Sequence, residues 1–376
     1  MKVIHQNALE LQRRGHSVSV VASNLLNKHR RIAPGTFQRS LDGLNVHYLH
    51  TYNLARWPGT LGPTWLAPAA KRHLRGLIAD ANVVHVNATR NAVAFEAMRQ
   101  AQKQGVPLVV QPHGTLPHIV NSKRLKWLFD TIFLRRTLTA ADAFIALQAA
   151  EVEQIAAAGG RRERIHIVPN GLRVGRAELR SRQYGFRRKF KIPAQHKIIL
   201  FLGRINHKKG VDILVEAFAQ IPEEARRRLQ LVIAGPDDGQ LGEVQALVRR
   251  HRLAGNVLFT GLLEGDDVWA AHVDADLFVL PCRIDTFPMV IIEACAAGTP
   301  MVVSETCEIA DLLADKAATI AAPAPRAIGA AMQALLADDE LQQHYRRGAA
   351  ELIATTFSMR AVGDRLERIY GQVAAV

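Results

Sequence analysis

Short apolar runs rich in β-branched residues recur along this chain, separated by amphipathic stretches of helical period. In the first half they predict strands at Val18–Ala22, Val83–Asn87, Leu108–Gln111, Phe144–Leu147 and Ile165–Val168. In the second half they predict strands at Ile198–Leu202, Gln230–Ala234, Val257–Thr260, Leu277–Leu280 and Met301–Val303. Runs this brief, without polar alternation, suit strands covered on both faces. Their alternation with helices predicts two doubly wound α/β domains. The stretch from Leu172 to Lys197 is polar and Arg-rich, with Pro193 near its end, and reads as the connection between them. Phe357 to Val373 reads as a terminal amphipathic helix with Val362, Leu366, Ile369 and Tyr370 on one face. The expected organisation is an N-terminal domain over 1–172, a linker over 173–196, a second domain over 197–355, and a helix over 356–376 packing back on the first domain.

The opening of the chain departs from this pattern. Val3, Ile4, Ala8 and Leu11 fall at helical spacing, and Gly15 stops the run before the first predicted strand. A doubly wound sheet normally begins with a strand and a glycine-rich turn, and that strand is usually central. Its loss would leave ladder groups unpaired inside the sheet. The expectation is a true start upstream or a truncated product; a shorter, repacked sheet is the alternative.

Composition adds limits. With 376 residues, 48% of them hydrophobic, the chain has apolar matter for two cores. Cys282, Cys295 and Cys307 have neither metal-ligand nor disulfide-framework spacing, which suits a reduced, cytosolic protein. No apolar run nears the roughly 20 residues of a membrane span, and no signal-like apolar core opens the chain. The net charge of +14 reads either as a solvated basic surface or as a match for an anionic membrane face or anionic substrates. Nucleic acid ranks last, because no recognised binding motif is present. Residues 122–138 mix Lys123, Arg124, Lys126, Arg135 and Arg136 with Trp127, Phe129 and Phe133. This basic amphipathic segment either lies peripherally on an anionic membrane or packs on the domain surface.

Two segments carry the chemistry. Ile198–Leu202 is followed by Gly203-Arg204 and then Lys209-Gly210. Arg204 can pair with phosphate through two donors and Lys209 adds a point charge, both past the carboxyl end of a strand, where open α/β sheets bind ligands. The second segment runs from Asp285 to Glu293, with Pro288 suited to a first helical position and Gly298 to the stop. Its helix N-terminus favours phosphate. Glu293 can accept from two adjacent ribose hydroxyls, and Asp285 can hold sugar hydroxyls. Read blandly, the same residues are a surface turn with incidental bases, and a cap with an exposed acid.

With these motifs the chain resembles the group 1 (family 4) retaining glycosyltransferases of the GT-B fold. The resemblance rests on the order of Arg13-Arg14-Gly15-His16-Ser17-Val18, Pro112-His113-Gly114, Val168-Pro169-Asn170-Gly171, Gly203-Arg204, Lys209-Gly210, Ala234-Gly235, Phe259-Thr260-Gly261, Glu293-Ala294 and Ala297-Gly298-Thr299-Pro300. It implies two Rossmann-like domains facing a cleft, and a UDP- or GDP-linked sugar as donor. Arg204 and Lys209 would stabilise the leaving diphosphate, Glu293 would hold the ribose, and Asp285 and His113 would position the transferred sugar. Gly203, Gly261, Leu262, Phe287, Met289 and Val290 complete the implied donor-binding set. The implied acceptor is a glycan or lipid-linked glycan of cell-surface polysaccharide. No metal or other cofactor is expected, since fixed cations take that place, and Asp274-Ala275-Asp276, just ahead of an apolar strand, does not suit a metal site. Outside the resemblance, His113 reads as a loop histidine satisfied by backbone. Asp285 stands where the family usually has glutamate, and Thr286-Phe287-Pro288 replaces its glycine-rich stretch, which leaves the donor sugar open. The rivals are a nucleotide-sugar epimerase of the same fold and a non-catalytic scaffold.

Overall fold

The computed structural model describes residues 2–25, 31–53, 65–68, 70–88, 91–116, 138–173, 179 and 181–375. The chain divides into two units: Met1–Gly171 with Met359–Val376, and Leu172–Ser358.

In the first unit the Lys2–Arg13 helix leads into β1 (Ser19–Ser23), which pairs in parallel with β3 (Leu44–Leu49). β3 also pairs antiparallel with β2 (Phe37–Leu41), through a turn at Asp42-Gly43 where both residues have positive φ, 51° and 83°. This antiparallel hairpin adds to the parallel pairing of β1 with β3. β2 was not predicted because its sequence, Phe-Gln-Arg-Ser-Leu, has a largely exposed polar centre. A two-stranded ribbon joins β4 (Tyr52–Asn53) and β5 (Trp65–Leu66). A parallel sheet follows in the order β6 (Val84–Asn87), β7 (Leu108–Gln111), β8 (Ala143–Ala146), β9 (Ile165–Ile167). Among the described residues, β1 and β6 are each hydrogen-bonded to a strand on one side only.

The terminal helix, Met359–Ala374, closes this unit. Val362, Leu366 and Ile369 are buried against Leu11, Val109, Ile145 and Val168. The Arg14 guanidinium reaches Asp364 and Glu367 at 2.7 Å each and the Arg360 carbonyl at 2.8 Å. Gly363 leaves room for it, since a Cβ there would lie 2.6 Å from Arg14. The basic segment at 122–138 lies outside the described residues except for Leu138, which is buried.

The second unit holds one six-stranded parallel sheet in the order β12-β11-β10-β13-β14-β15. The strands are β10 (Lys197–Leu202), β11 (Leu229–Ala234), β12 (Val257–Gly261), β13 (Leu277–Leu280), β14 (Met301–Ser304) and β15 (Ala318–Ala321). In chain order this is the doubly wound 3-2-1-4-5-6 arrangement. Ile198–Phe201, Leu231–Ala234, Leu277–Leu280 and Met301–Val303 are fully buried, as two-sided helical cover requires.

The stretch read as a linker belongs to this unit. Phe186 and Ile192 sit in its core, and the acidic pair near β13 ties the stretch down. Asp274 accepts from the backbone N–H groups of Tyr184 (2.6 Å) and Arg187 (2.9 Å), and Asp276 takes the Arg187 guanidinium (2.9 Å) and the Ile198 N–H (2.7 Å). All three cysteines are buried free thiols, and burial pushes that of Cys295 up to about 12.

Candidate active site

The strand order of the second sheet reverses between β10 and β13, which are hydrogen-bonded neighbours. At such a switch point the following loops part and leave a crevice beyond the strand ends. Both predicted chemical segments leave the sheet there.

The loop after β10 is built by close backbone contacts. A Cβ on Gly235 would lie 1.8 Å from the Gly203 carbonyl oxygen, and one on Gly210 2.0 Å from that of Pro281. Gly210 also has a φ of 68°, so glycine is needed there for both space and conformation. Asn206 caps the short turn His207–Lys209 by accepting from the Lys209 N–H at 3.2 Å. The Lys209 ammonium then pairs with the Asp285 carboxylate from the loop after β13. Only 17% and 16% of these side chains are exposed, so the pair is shielded from much of the solvent screening that weakens surface ion pairs.

Arg283 straps the two loops together. It binds Asp212 through two bonds of 2.8 and 2.6 Å, donates to the His207 carbonyl at 2.9 Å, and gives its own N–H to the Lys208 carbonyl at 2.8 Å. Burial alone would raise the Asp212 carboxyl, but the Arg283 guanidinium outweighs it and holds that carboxyl below its usual range. Hydrogen bonding to Asp212 raises Arg283 in turn. The sequence reading missed both residues; the arginine two positions before Asp285 was the available signal.

Arg204 is differently placed. Its side chain is 64% exposed and pairs with Asp238 at 2.7 Å, and the same Asp238 oxygen accepts from Asn206. A solvent-facing pair of this kind is weak, so Arg204 is available to exchange Asp238 for a more highly charged anion. Gly261 ends β12 with a φ of 71°, and Leu262 after it is 61% exposed.

Glu293 lies on the Met289–Ala297 helix, which starts after Pro288 without a side-chain cap. The first N–H groups of a helix have no intrahelical acceptor, so those of Met289 and Val290 leave a positive end in the loop that carries Asp285. The Met289 and Val290 side chains instead pack against the core, as does Phe287, whose ring stands 6.4 Å from Phe357. These three are thus supporting residues by side chain, and Met289 and Val290 offer backbone donors. The Glu293 carboxylate is 17% exposed and lies 3.9 Å from the ring of fully buried His272.

His113 belongs to the first unit. It follows β7 with a φ of 55° and Gly114 with 68°, a left-handed pair that presents the ring at the turn. Its Nε2–H donates to Asn87 Oδ1 at 2.8 Å, so a side chain and not backbone satisfies the ring. Buried Glu151 holds the turn by accepting from the N–H groups of Gly114 (2.5 Å) and Leu147 (2.7 Å). Burial pushes the Glu151 carboxyl up, against these two bonds. Burial lowers His113 to about 4 and His85, which shares a 2.7 Å hydrogen bond with Tyr370, to about 3.

Both histidines ordinarily titrate near 6.5, so the unfolded chain takes their protons first as pH falls. Their stability contribution is complete above about pH 6.5 and is lost downward through the folded values. The urea midpoint is therefore expected to fall between pH 7 and 5.5, above the range where most carboxylates titrate. A His85→Asn/His113→Asn variant should show a flatter profile. Equal slopes in the two proteins would mean these rings are not held neutral.

Among the described residues, no cluster of three or more His, Cys, Asp or Glu side chains forms a cation cage. The arrangement offers instead two cations, a helix N-terminus and two carboxylates around one switch point.

Comparison with known proteins agrees with this architecture. The family described as glycosyl transferases group 1 matches residues 185–352, and the glycosyl transferase 4-like domain matches residues 2–171. The chain is 29% identical over 302 residues to the alpha-D-kanosaminyltransferase of Streptomyces kanamyceticus, covering 75% of each protein. Other curated relatives are matched over 34% to 53% of their own length. The sucrose-phosphate synthase of Thermosynechococcus elongatus has the same fold, with a TM-score of 0.74, 21% identity, and coverage of 99% of this chain and 92% of that one. Anabaena Alr3699/HepE, solved in complex with UDP-glucose, aligns with a TM-score of 0.67 and 18% identity over 89% of this chain and 87% of its own. Two glycosyltransferase domains matched in sequence, each on a separate α/β unit, place the chain in its family: it belongs to the group 1 glycosyltransferases and has the GT-B fold.

Proposed function

We propose that the protein transfers a sugar from a nucleoside diphosphate donor to a hydroxyl of a glycan or lipid-linked glycan, with retention at the anomeric carbon and without a metal ion. The observation that carries this reading is the grouping of Lys209, Arg204, Asp285, Glu293 and a helix N-terminus at the switch point of one parallel sheet. In the reaction the bond from the anomeric carbon to the donor phosphate breaks, and a bond to the acceptor oxygen forms. The acceptor proton leaves on the diphosphate. Charge therefore grows on the phosphate oxygens, where fixed cations and backbone N–H groups stabilise it most. Lys209 and Arg204 supply the cations, and the Met289 and Val290 N–H groups add donors. Glu293 holds the ribose hydroxyls. Asp285, with its charge balanced by Lys209, orients the sugar. The UDP-glucose complex of the Anabaena protein supports a nucleotide-sugar donor. The basic segment at 122–138 supports an acceptor at an anionic membrane surface, and hence a role in cell-surface polysaccharide assembly on its cytoplasmic side.

Thermal unfolding with UDP, GDP and ADP in turn tests the donor site. A nucleotide at ~100 times its Kd stabilises the fold by roughly 2.7 kcal/mol, a rise of several degrees at about 2–4 °C per kcal/mol. One nucleotide is expected to give this rise and so name the base. No shift with any of the three, from a cooperatively unfolding protein, would overturn the proposal. Product formed without an acceptor would replace it with the epimerase reaction.

A further inference from the structure

His272 has a feature the reaction above does not use. It sits on the Asp266–Asp274 helix with no exposed surface, and neither ring nitrogen has a hydrogen-bond partner. Leaving a buried polar group unpaired is costly, and such groups are uncommon in native structures. The backbone at this point is well fixed, since the His272 carbonyl accepts from the Thr299 hydroxyl at 2.7 Å and the Ala275 N–H at 3.3 Å. The ring leans on Phe278, centroids 5.3 Å apart, which sets its orientation. Its Nε2 points to Glu293 Oε2 at 3.9 Å. That is about 1 Å longer than a hydrogen bond, a gap that rotation of the Glu293 side chain can close.

We infer that His272 is a positioning residue for Glu293, donating from Nε2 to the back of its carboxylate when a ribose occupies the front. This rests on the assignment of Glu293 to the donor ribose. A carboxylate has about four acceptor positions on its two oxygens. Two ribose hydroxyls use the outward ones and leave an inward one on Oε2 facing His272. The bond then forms only when the carboxylate has turned to its ribose-binding plane. His272 thereby favours one rotamer of Glu293, and the nucleotide gains affinity from a group it never touches. An imidazole that served only to fill space would be replaced by a hydrophobic ring with no effect on ribose recognition.

The test is calorimetric titration with the nucleoside diphosphate that stabilises the wild-type protein, and with its 2′-deoxy counterpart. His272→Phe keeps the ring and removes the donor, while His272→Gln keeps an N–H donor on a flexible chain. His272→Phe is expected to weaken the ribonucleotide roughly tenfold, as loss of one hydrogen bond to a charged group implies, and to weaken the deoxynucleotide much less. His272→Gln should recover most of the discrimination. Unfolding temperature should stay level or rise in His272→Phe, since a buried unpaired polar group is gone. His272→Leu serves as the donor-less variant if the larger ring does not fit. Equal weakening of both nucleotides, or no weakening of either, overturns the inference. Glu293→Ala distinguishes the role of His272 from that of Glu293. If it abolishes ribose discrimination while His272→Phe leaves it intact, only the role of His272 fails. If the wild-type protein shows no ribose discrimination and Glu293→Ala changes nothing, the assignment of Glu293 itself fails.

Discussion

Lys209→Ala is expected to lower the turnover of sugar transfer by roughly 10²–10³-fold, the range for removing one group that stabilises developing negative charge. The donor affinity should change far less, because the ground-state diphosphate retains Arg204 and the helix N-terminus. The substitution has a second effect that must be separated from the first. It strands the Asp285 carboxylate, which is only 16% exposed, without its counter-ion, at a cost of roughly 1–3 kcal/mol for a partly shielded, unpaired group. The double variant Lys209→Ala/Asp285→Ala removes both charges. Its unfolding temperature should return toward that of the wild-type protein, while transfer stays low. Steady-state kinetics and thermal unfolding on the three proteins check this. Turnover that recovered together with stability would make Lys209 a structural ion-pair partner and nothing more.

Glu293→Ala should act chiefly on donor binding. Hydrogen bonds to a charged group contribute about 1.5–3 kcal/mol, and every 1.4 kcal/mol is a factor of ten. Loss of the ribose contacts should therefore raise the Kd for the nucleoside diphosphate by about 10- to 100-fold. Turnover at saturating donor should fall less than affinity, unless ribose binding energy is also used to align the reacting atoms. The fold should tolerate the change, because Glu293 is partly exposed in an otherwise apolar helix. Unchanged affinity and unchanged transfer in this variant would remove Glu293 from the site.

The sheet at the heart of the second unit was legible because its strands are uninterrupted apolar runs: Ile198 to Phe201 and Leu277 to Leu280 are fully buried and have few other ways to be placed. The motifs after β10 and β13 were legible for a related reason, since a glycine and a cation directly after such a strand mark the ligand end of the sheet. Pairings across distance were not. Asp212 and Arg283 are separated by 71 positions and Arg204 and Asp238 by 34, and no local pattern announces either pair. The Arg-rich stretch after Leu172 was misread for the same cause. Its counter-charges, Asp266, Asp267 and Asp276, lie 78 to 89 positions further on, so local composition shows only excess positive charge. β15, Ala-Thr-Ile-Ala, went unread because small residues carry little apolar signal, although it completes the sheet.

The terminal helix has a consequence for how the protein is made. Val362, Leu366 and Ile369 fill the same core as Leu11, Val109 and Ile145, yet the whole of Leu172–Ser358 is synthesised between them. The second unit has all of its strands, and its own core, before the last helix leaves the ribosome. The first unit emerges earlier and is finished later, with an apolar face and the Arg14 guanidinium waiting for residues at the opposite end of the chain. During that interval the first unit is the part exposed to aggregation and proteolysis, and a lesion in the last helix would be felt by the beginning of the protein and not by the neighbouring sequence.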